Sequence, residues 1–189
     1  MAPAFSYEAA THAYYLEGVR IPSITQMLSR TGWIDDTYFT EEGSDRGTAV
    51  HHYTAEHDLG VLNLPAVPRE FRGWVLAYIE LMTLIRPAWE LVEVPLYHPT
   101  LRFGGTPDRV GVWTGVRTVL EIKSGAARES DAIQTALQAI LVAHTSPLPA
   151  MSWQRLVGYI KPGGRFVVER MKDARDYDEA HRILKEFCR

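Results

Sequence analysis

The chain has 189 residues, 46% hydrophobic and 23% charged, which bounds it to one domain with a sizeable core and excludes a disordered or fibrous chain. A formal net charge of −3 excludes a protein that coats nucleic acid by bulk electrostatics, because phosphate binding draws on clustered Lys and Arg. The single cysteine, Cys188, excludes an intramolecular disulfide, a four-thiolate zinc site and a cysteine-held iron–sulfur cluster within one chain.

The opening "MAPAFSYEAATH" has neither a basic start nor an apolar signal core, and no run approaches about 18 apolar residues. These features point to a soluble, unsecreted protein in a reducing compartment, with no membrane contact and a cytoplasmic location.

Residues 5 to 20, "FSYEAATHAYYLEGVR", read as an opening hairpin turning near Ala9 to His12. In "PSITQMLSRTG" Ser23 is placed to cap a helix over 24 to 30, with Gln26 as capping-box partner and Gly32 past the end. The stretch from Thr37 to Leu59 is helix-compatible but interrupted by Gly43 and Gly47, so a fresh helix is expected near Arg46. "GVLNLPAVP" is a loop. Phe71, Trp74, Val75, Tyr78, Ile79, Met82 and Ile85 then recur at the spacing of a core-facing helix.

"WELVEVPLYH" reads as a strand, "FGGTPDRVGVW" and "RTVLEIKS" as two more, and "ESDAIQTALQAILVAH" as an apolar helix. The remainder supplies strands at "WQRLVGYI" and "RFVVERM" around a "KPGG" turn, and a last helix from about Asp176. We expect an α/β fold built around one mixed sheet flanked by helices. Its three parts are an N-terminal hairpin and helices (1–90), a central hairpin and following helix (91–145), and a C-terminal hairpin and helix (150–189).

The central hairpin carries the most chemistry. A two-residue turn at Thr114 and Gly115 sets Trp113 opposite Val116. Asp108 then falls opposite Glu121, Cβ atoms about 4.5–5.5 Å apart, and Lys123 points to the same face. Val110, Val112 and Val119 continue that face toward the turn. Facing carboxylates repel, the more so as water is excluded, and call for Lys123, a divalent cation or both. The alternative is a pair of acids at an exposed sheet edge with Lys123 as local counter-ion. Against it, Gly104 and Gly105 allow another backbone or a ligand to approach closely, and the apolar flanks of Glu121 mark a central strand.

At "GGTPD", a variable hairpin and "EIKSG", the chain resembles the PD-(D/E)xK nuclease superfamily, most closely its RecB-like and phage-type exonuclease branch. The likeness extends upstream to "RGTAVH" and downstream to "QTALQ", and "YEAATHAYYLEGVRIPSITQML" is similar to the N-terminal segment of small phage-type members. It implies a restriction-endonuclease-like domain in which His51 binds metal, and in which Gln134 and Gln138 lie near the site and contact nucleic acid, the alternative for both being the solvent edge of their helix. The family's Gln-x-x-x-Tyr pattern ends here in Gln138, a departure. Four-cysteine iron–sulfur relatives are excluded by composition.

The resemblance implies phosphodiester hydrolysis by a stand-alone exonuclease acting on the ends of linear DNA in phage-type recombination, replication or repair. It would work in a bacterium or a virus-infected cell, often beside a strand-annealing recombinase, with room for a homo-oligomer. Asp108, Glu121, His51 and the backbone carbonyl of Ile122 would ligate one or two Mg²⁺ or Mn²⁺ ions, which an oxygen-rich donor set with one imidazole suits. Lys123 would orient or deprotonate the attacking water. Arg46 and Arg102 are expected as phosphate contacts by position, among scattered cations that include Arg109, Arg128, Lys161 and Arg165. Glu93 either neighbours the acids or is an ordinary strand glutamate; His57 and His144 are structural. A restriction-like or structure-specific endonuclease, or a non-catalytic nucleic-acid-binding module on the same fold, are the alternatives.

Overall fold

The computed structural model describes residues 3–35 and 40–187; Cys188 and the start of the Thr37 to Leu59 stretch lie outside them. Three strands come first, β1 (Phe5–Glu8), β2 (Ala13–Leu16) and β3 (Val19–Ile21), paired antiparallel in that order. The expected hairpin is thus extended by a third strand, turned back at Glu17 and Gly18, both at positive φ.

Helix α1 (Ile24–Arg30) has the full capping box: Gln26 N donates to Ser23 Oγ at 3.1 Å, and Ser23 N to Gln26 Oε1 at 3.2 Å. Helix α2 spans Glu41–Asp58 and starts five residues before the expected Arg46. Thr40 accepts the Gly43 amide at its N-terminus, and two acids in the first turn suit the helix dipole. One cap and a dipole outweigh two glycines, each of which costs only about 1 kcal/mol. Helix α3 (Arg69–Ile85) follows as its periodicity predicts, with Val75, Tyr78 and Met82 buried.

The stretch read as one strand at "WELVEVPLYH" is two, β4 (Ala88–Val92) and β5 (Leu96–His98), in different sheets. Glu93 sits between them at φ +51, and Pro95 removes a ladder donor. "FGGTPDRVGVW" divides likewise into β6 (Phe103–Gly105), paired with β5, and β7 (Arg109–Trp113). The chain closes with β8 (Val116–Lys123), α4 (Glu129–Ala143), β9 (Gln154–Lys161), β10 (Arg165–Met171) and α5 (Arg175–Phe187).

The main sheet is mixed, in the order β10-β9-β8-β7-β4. Only the β8–β9 pair is parallel, joined through α4 as a crossover. Strand β8 is therefore central and covered on both faces. Its Val119 and β7's Val110 pack into the cluster containing Met27, Leu137 and Ile183 from α1, α4 and α5. Its Leu120 and Ile122 pack the other way, with Tyr78 and Leu81 of α3. This period-two division of one strand between two cores places its odd-numbered residues on the α4 side.

The glycines before Asp108 serve close packing. A Cβ on Gly104 would meet the Tyr14 ring at 2.5 Å and one on Gly105 would meet Ile24 Cδ1 at 2.6 Å. Gly104 also donates to Pro22 O at 2.9 Å. The close approach expected at these positions is made by the N-terminal sheet and α1, which docks both onto the loop leading to Asp108. Among the described residues, no helix is long and apolar enough to cross a membrane.

Candidate metal centre and flanking clefts

The turn residues Thr114 and Gly115 both have positive φ, +47 and +83, as a type I′ turn requires. The ladder runs in the expected register from Trp113–Val116 down to Arg109–Leu120. The next step along each strand brings Asp108 and Glu121 to the same end, both 4% exposed. An exposed sheet edge is therefore not where these acids lie.

Each carboxylate is held by its own donors. Asp108 Oδ2 accepts the Ile122 amide at 2.6 Å. Glu121 Oε1 accepts from Lys123 Nζ at 2.8 Å and Gln134 Nε2 at 2.7 Å, and Oε2 accepts from Gln138 Nε2 at 2.6 Å. Gln134 also accepts from Lys123 at 2.9 Å, so these residues form a closed triangle.

Gln134 and Gln138, expected as nucleic-acid contacts, both line the cleft beside the acids. Their amides are turned onto Glu121, one helical turn apart on α4. Gln138 is only 2% exposed, which also removes it from the solvent edge of α4. Two other candidate cations lie outside the clefts. Arg102 lies at the β5–β6 turn, 3.8 Å from Glu17, and lines neither cleft described below. Arg109 is fully buried. Arg46 does line a cleft, with its guanidinium 5.7 Å over the Trp74 ring.

His51, on α2, reaches Asp108 Oδ1 at 3.3 Å and Glu93 Oε1 at 3.2 Å through Nδ1. Ligand atoms of His51, Glu93 and Asp108 all lie within 4.8 Å of one another. The set of one imidazole and two carboxylates fits a hard divalent cation such as Mg²⁺ or Mn²⁺. Glu93 enters because of the backbone break: at φ +51 it leaves the strand, and its amide donates to Asp108 O at 3.0 Å. The signal in the sequence was an acid two residues before a proline at the end of an apolar strand.

Behind this cluster lies a polar network the sequence did not disclose. Arg109 Nε donates to Asp58 Oδ2 at 2.5 Å, Nη2 to Thr54 Oγ1 at 3.1 Å, and Nη1 to Glu93 Oε1 at 3.2 Å and Asp108 O at 2.7 Å. Tyr78 Oη also donates to Asp58 Oδ2, at 2.5 Å. One guanidinium thus ties α2 to the two loops, β4–β5 and β6–β7, that carry Glu93 and Asp108. On the Lys123 side, Asp131 accepts the Arg128 amide at 3.0 Å and the Tyr159 hydroxyl at 2.9 Å, and approaches Lys123 to 3.8 Å.

Burial opposes the charge on His51, but Asp108, by charge and hydrogen bond, and then Glu93 raise its pKa well above the ordinary imidazole value. Burial likewise opposes the Lys123 ammonium, and Glu121 and Asp131 outweigh it, raising the pKa above the usual lysine value.

Two clefts meet here. One of about 700 Å³ runs between the acids and the N-terminal sheet, past Tyr7, His12, Gln26 and Thr106. The other, about 450 Å³, runs between the start of α2 and the segment after β8, past Arg46, Lys123, Gly125 and Arg128. Thr25, Gly47, His51, Glu121 and Gln134 border both. Ile122 lines the second through its place on β8, with its side chain in the α3-side core.

No family model matches the chain, and no curated protein matches it in sequence. Among solved structures it is similar to a protein from Eubacterium rectale provisionally named an exonuclease. The TM-score is 0.50 at 11% identity, over 85% of this chain and 69% of that one. The two share a fold: a central mixed sheet flanked by helices.

Proposed function

We propose that this protein is a metal-dependent nuclease of the PD-(D/E)xK kind, hydrolysing phosphodiester bonds and acting as an exonuclease on the ends of linear DNA. The observation that carries this reading is that Asp108, Glu121 and Lys123 share one end of a central hairpin, where His51 and Glu93 bring ligand atoms within 4.8 Å of that of Asp108. The fold shared with the Eubacterium rectale protein, itself provisionally named an exonuclease, agrees with it.

Asp108, His51 and Glu93 would hold the ion, with Glu121 and the Ile122 carbonyl as further ligands on the Lys123 side. Glu121 Oε2 accepts one bond among the described residues and has a lone pair to give. A bound ion lowers the pKa of water and offsets the charge that builds on the phosphoryl group. Lys123, 2.8 Å from Glu121, would donate hydrogen bonds to the phosphoryl oxygens or orient the attacking water. Gln134 and Gln138 keep the Glu121 carboxylate aimed, and Arg109 does the same for Glu93.

Digestion of end-labelled linear DNA beside covalently closed circles, with Mg²⁺, Mn²⁺ or EDTA, tests the reading. Loss of linear DNA alone, only with metal, is expected of an exonuclease. Cutting of circles would convert the assignment to an endonuclease. No cleavage of any DNA or RNA form with either metal would leave a binding module and sink the enzyme reading.

A further inference from the structure

The two clefts that meet at Glu121 differ in charge and in surface, and the difference assigns direction to a bound strand. The larger is lined by no Lys or Arg; apart from the acids its walls are chiefly aromatic, hydroxyl and amide groups, with Ile24 and Pro95 among them. The smaller carries Arg46, Lys123 and Arg128 beside the buried acids Glu121 and Asp131, three cations to two carboxylates. A polyanion is favoured in the second, and a part of a nucleotide that carries no charge, the base, in the first.

The larger cleft is also built to receive a ring. Tyr7 Oη and His12 Nδ1 are hydrogen-bonded at 2.9 Å, and their rings meet edge to face at 6.1 Å. Tyr7 rests on Tyr14, 4.9 Å away, whose hydroxyl is 2.8 Å from Thr106 Oγ1, two residues before Asp108. The aromatic wall is thus fixed relative to the acids. Deeper in, Gln138 Oε1 is buried with no hydrogen-bond partner among the described residues, so it can accept a donor from an occupant.

The smaller cleft is smooth where a backbone would pass. A Cβ on Gly47 or Gly125 would meet nothing within 4 Å, and Gly47 sits one helical turn before His51. Volumes of about 700 and 450 Å³ lie in the range of small-ligand pockets, which suits a single strand and not a duplex.

We propose that the larger cleft is a subsite for the terminal nucleotide of a single strand, its base against Tyr7 and His12, while the remaining phosphates run over Gly47 and Gly125 past Arg46. This rests on the nuclease reading above and adds to it the form of the substrate and the path it takes.

Anisotropy of labelled single-stranded oligonucleotides, with Ca²⁺ in place of Mg²⁺, tests it through binding alone. The strands end either in a normal nucleotide or in an abasic one, at each end in turn. Tyr7→Ala is expected to weaken binding of normally ended strands about ten-fold, a loss typical of a base losing its aromatic support, and to leave abasic-ended strands unchanged. Tyr7→Phe should restore the discrimination. His12→Asn, at an exposed turn position where Asn tolerates positive φ, should show it to a smaller degree without touching the core. Gly47→Leu should weaken both kinds of strand alike. Equal losses for normal and abasic ends in Tyr7→Ala and His12→Asn, or none for either, would overturn the subsite. If wild type degrades linear DNA yet the variants show that pattern, the subsite alone falls; if wild type neither binds nor cleaves any strand, both readings fall.

Discussion

Ile122 donates its backbone amide to Asp108 Oδ2 at 2.6 Å, just where the β7–β8 ladder ends. A side-chain oxygen stands in for a ladder carbonyl, and the same carboxylate turns its other oxygen to His51. Structure and chemistry are thus coupled in one group, and two substitutions separate them. Asp108→Ala leaves a buried amide unpaired and should lower stability in urea by about 1–3 kcal/mol. Asp108→Asn keeps an acceptor and should stay closer to wild type in urea. Both should abolish metal-dependent cleavage, and full activity in either would remove Asp108 from the site.

The Glu121 carboxylate is balanced by three donors, so removing one exposes what the others do. Gln138→Leu leaves Oε2 buried and unpaired, which should cost about 1.5–3 kcal/mol in EDTA because the lost bond goes to a charged group. A divalent ion that ligates Glu121 would replace the missing donor. The rise in melting temperature on adding Mn²⁺ should therefore be larger in Gln138→Leu than in wild type. An equal rise would mean that Glu121 is not a ligand.

The hairpin and its register were legible because a two-residue turn fixes every pairing beyond it, and the apolar run around Glu121 marks a central strand. The capping box at Ser23 and Gln26 was legible for the same reason, being local chemistry at fixed spacing. What was not legible depended on contacts between distant segments. Gln134 and Gln138 share a helix face in the sequence, but only the docking of α4 on β8 decides that this face meets Glu121 and not solvent. Glu93 belongs to the cluster because the strand breaks there, a consequence of Pro95 and of β5 pairing with β6. Arg109 did leave a trace: a cation alternating with Gly111 and Trp113 on an inward face of a central strand must find buried acids, and Asp58, fifty-one residues earlier, is one.

Arg109 has no exposed surface and two acidic partners, Asp58 and Glu93. Arg109→Met should destabilise by about 3–5 kcal/mol, since it strands buried carboxylates without their counter-ion. Replacing Asp58 with Leu in the same chain removes one of those stranded charges. The double variant should then lose less than the sum of the two singles, as measured by denaturant unfolding. Strict additivity would show that the two side chains act independently.

His51 is the group through which pH should act. Its pKa is raised well above the ordinary imidazole value, burial being outweighed by Asp108 and Glu93. A raised folded pKa means that the imidazolium contributes stability in full below its unfolded value of about 6.5, and that this contribution is lost as pH rises through the folded value. Thermal melts in EDTA should show wild type losing stability over that window, and His51→Asn should lack this step. The metal competes for the same position. An ion must displace one proton from His51, so affinity should rise about ten-fold per pH unit until the folded pKa is passed and then level off. Calorimetric titration with Mn²⁺ from pH 6 to 9 reads that slope directly. His51→Asn should bind more weakly at high pH and follow pH far less steeply, and an unchanged slope would show that the proton lost on binding comes from another group.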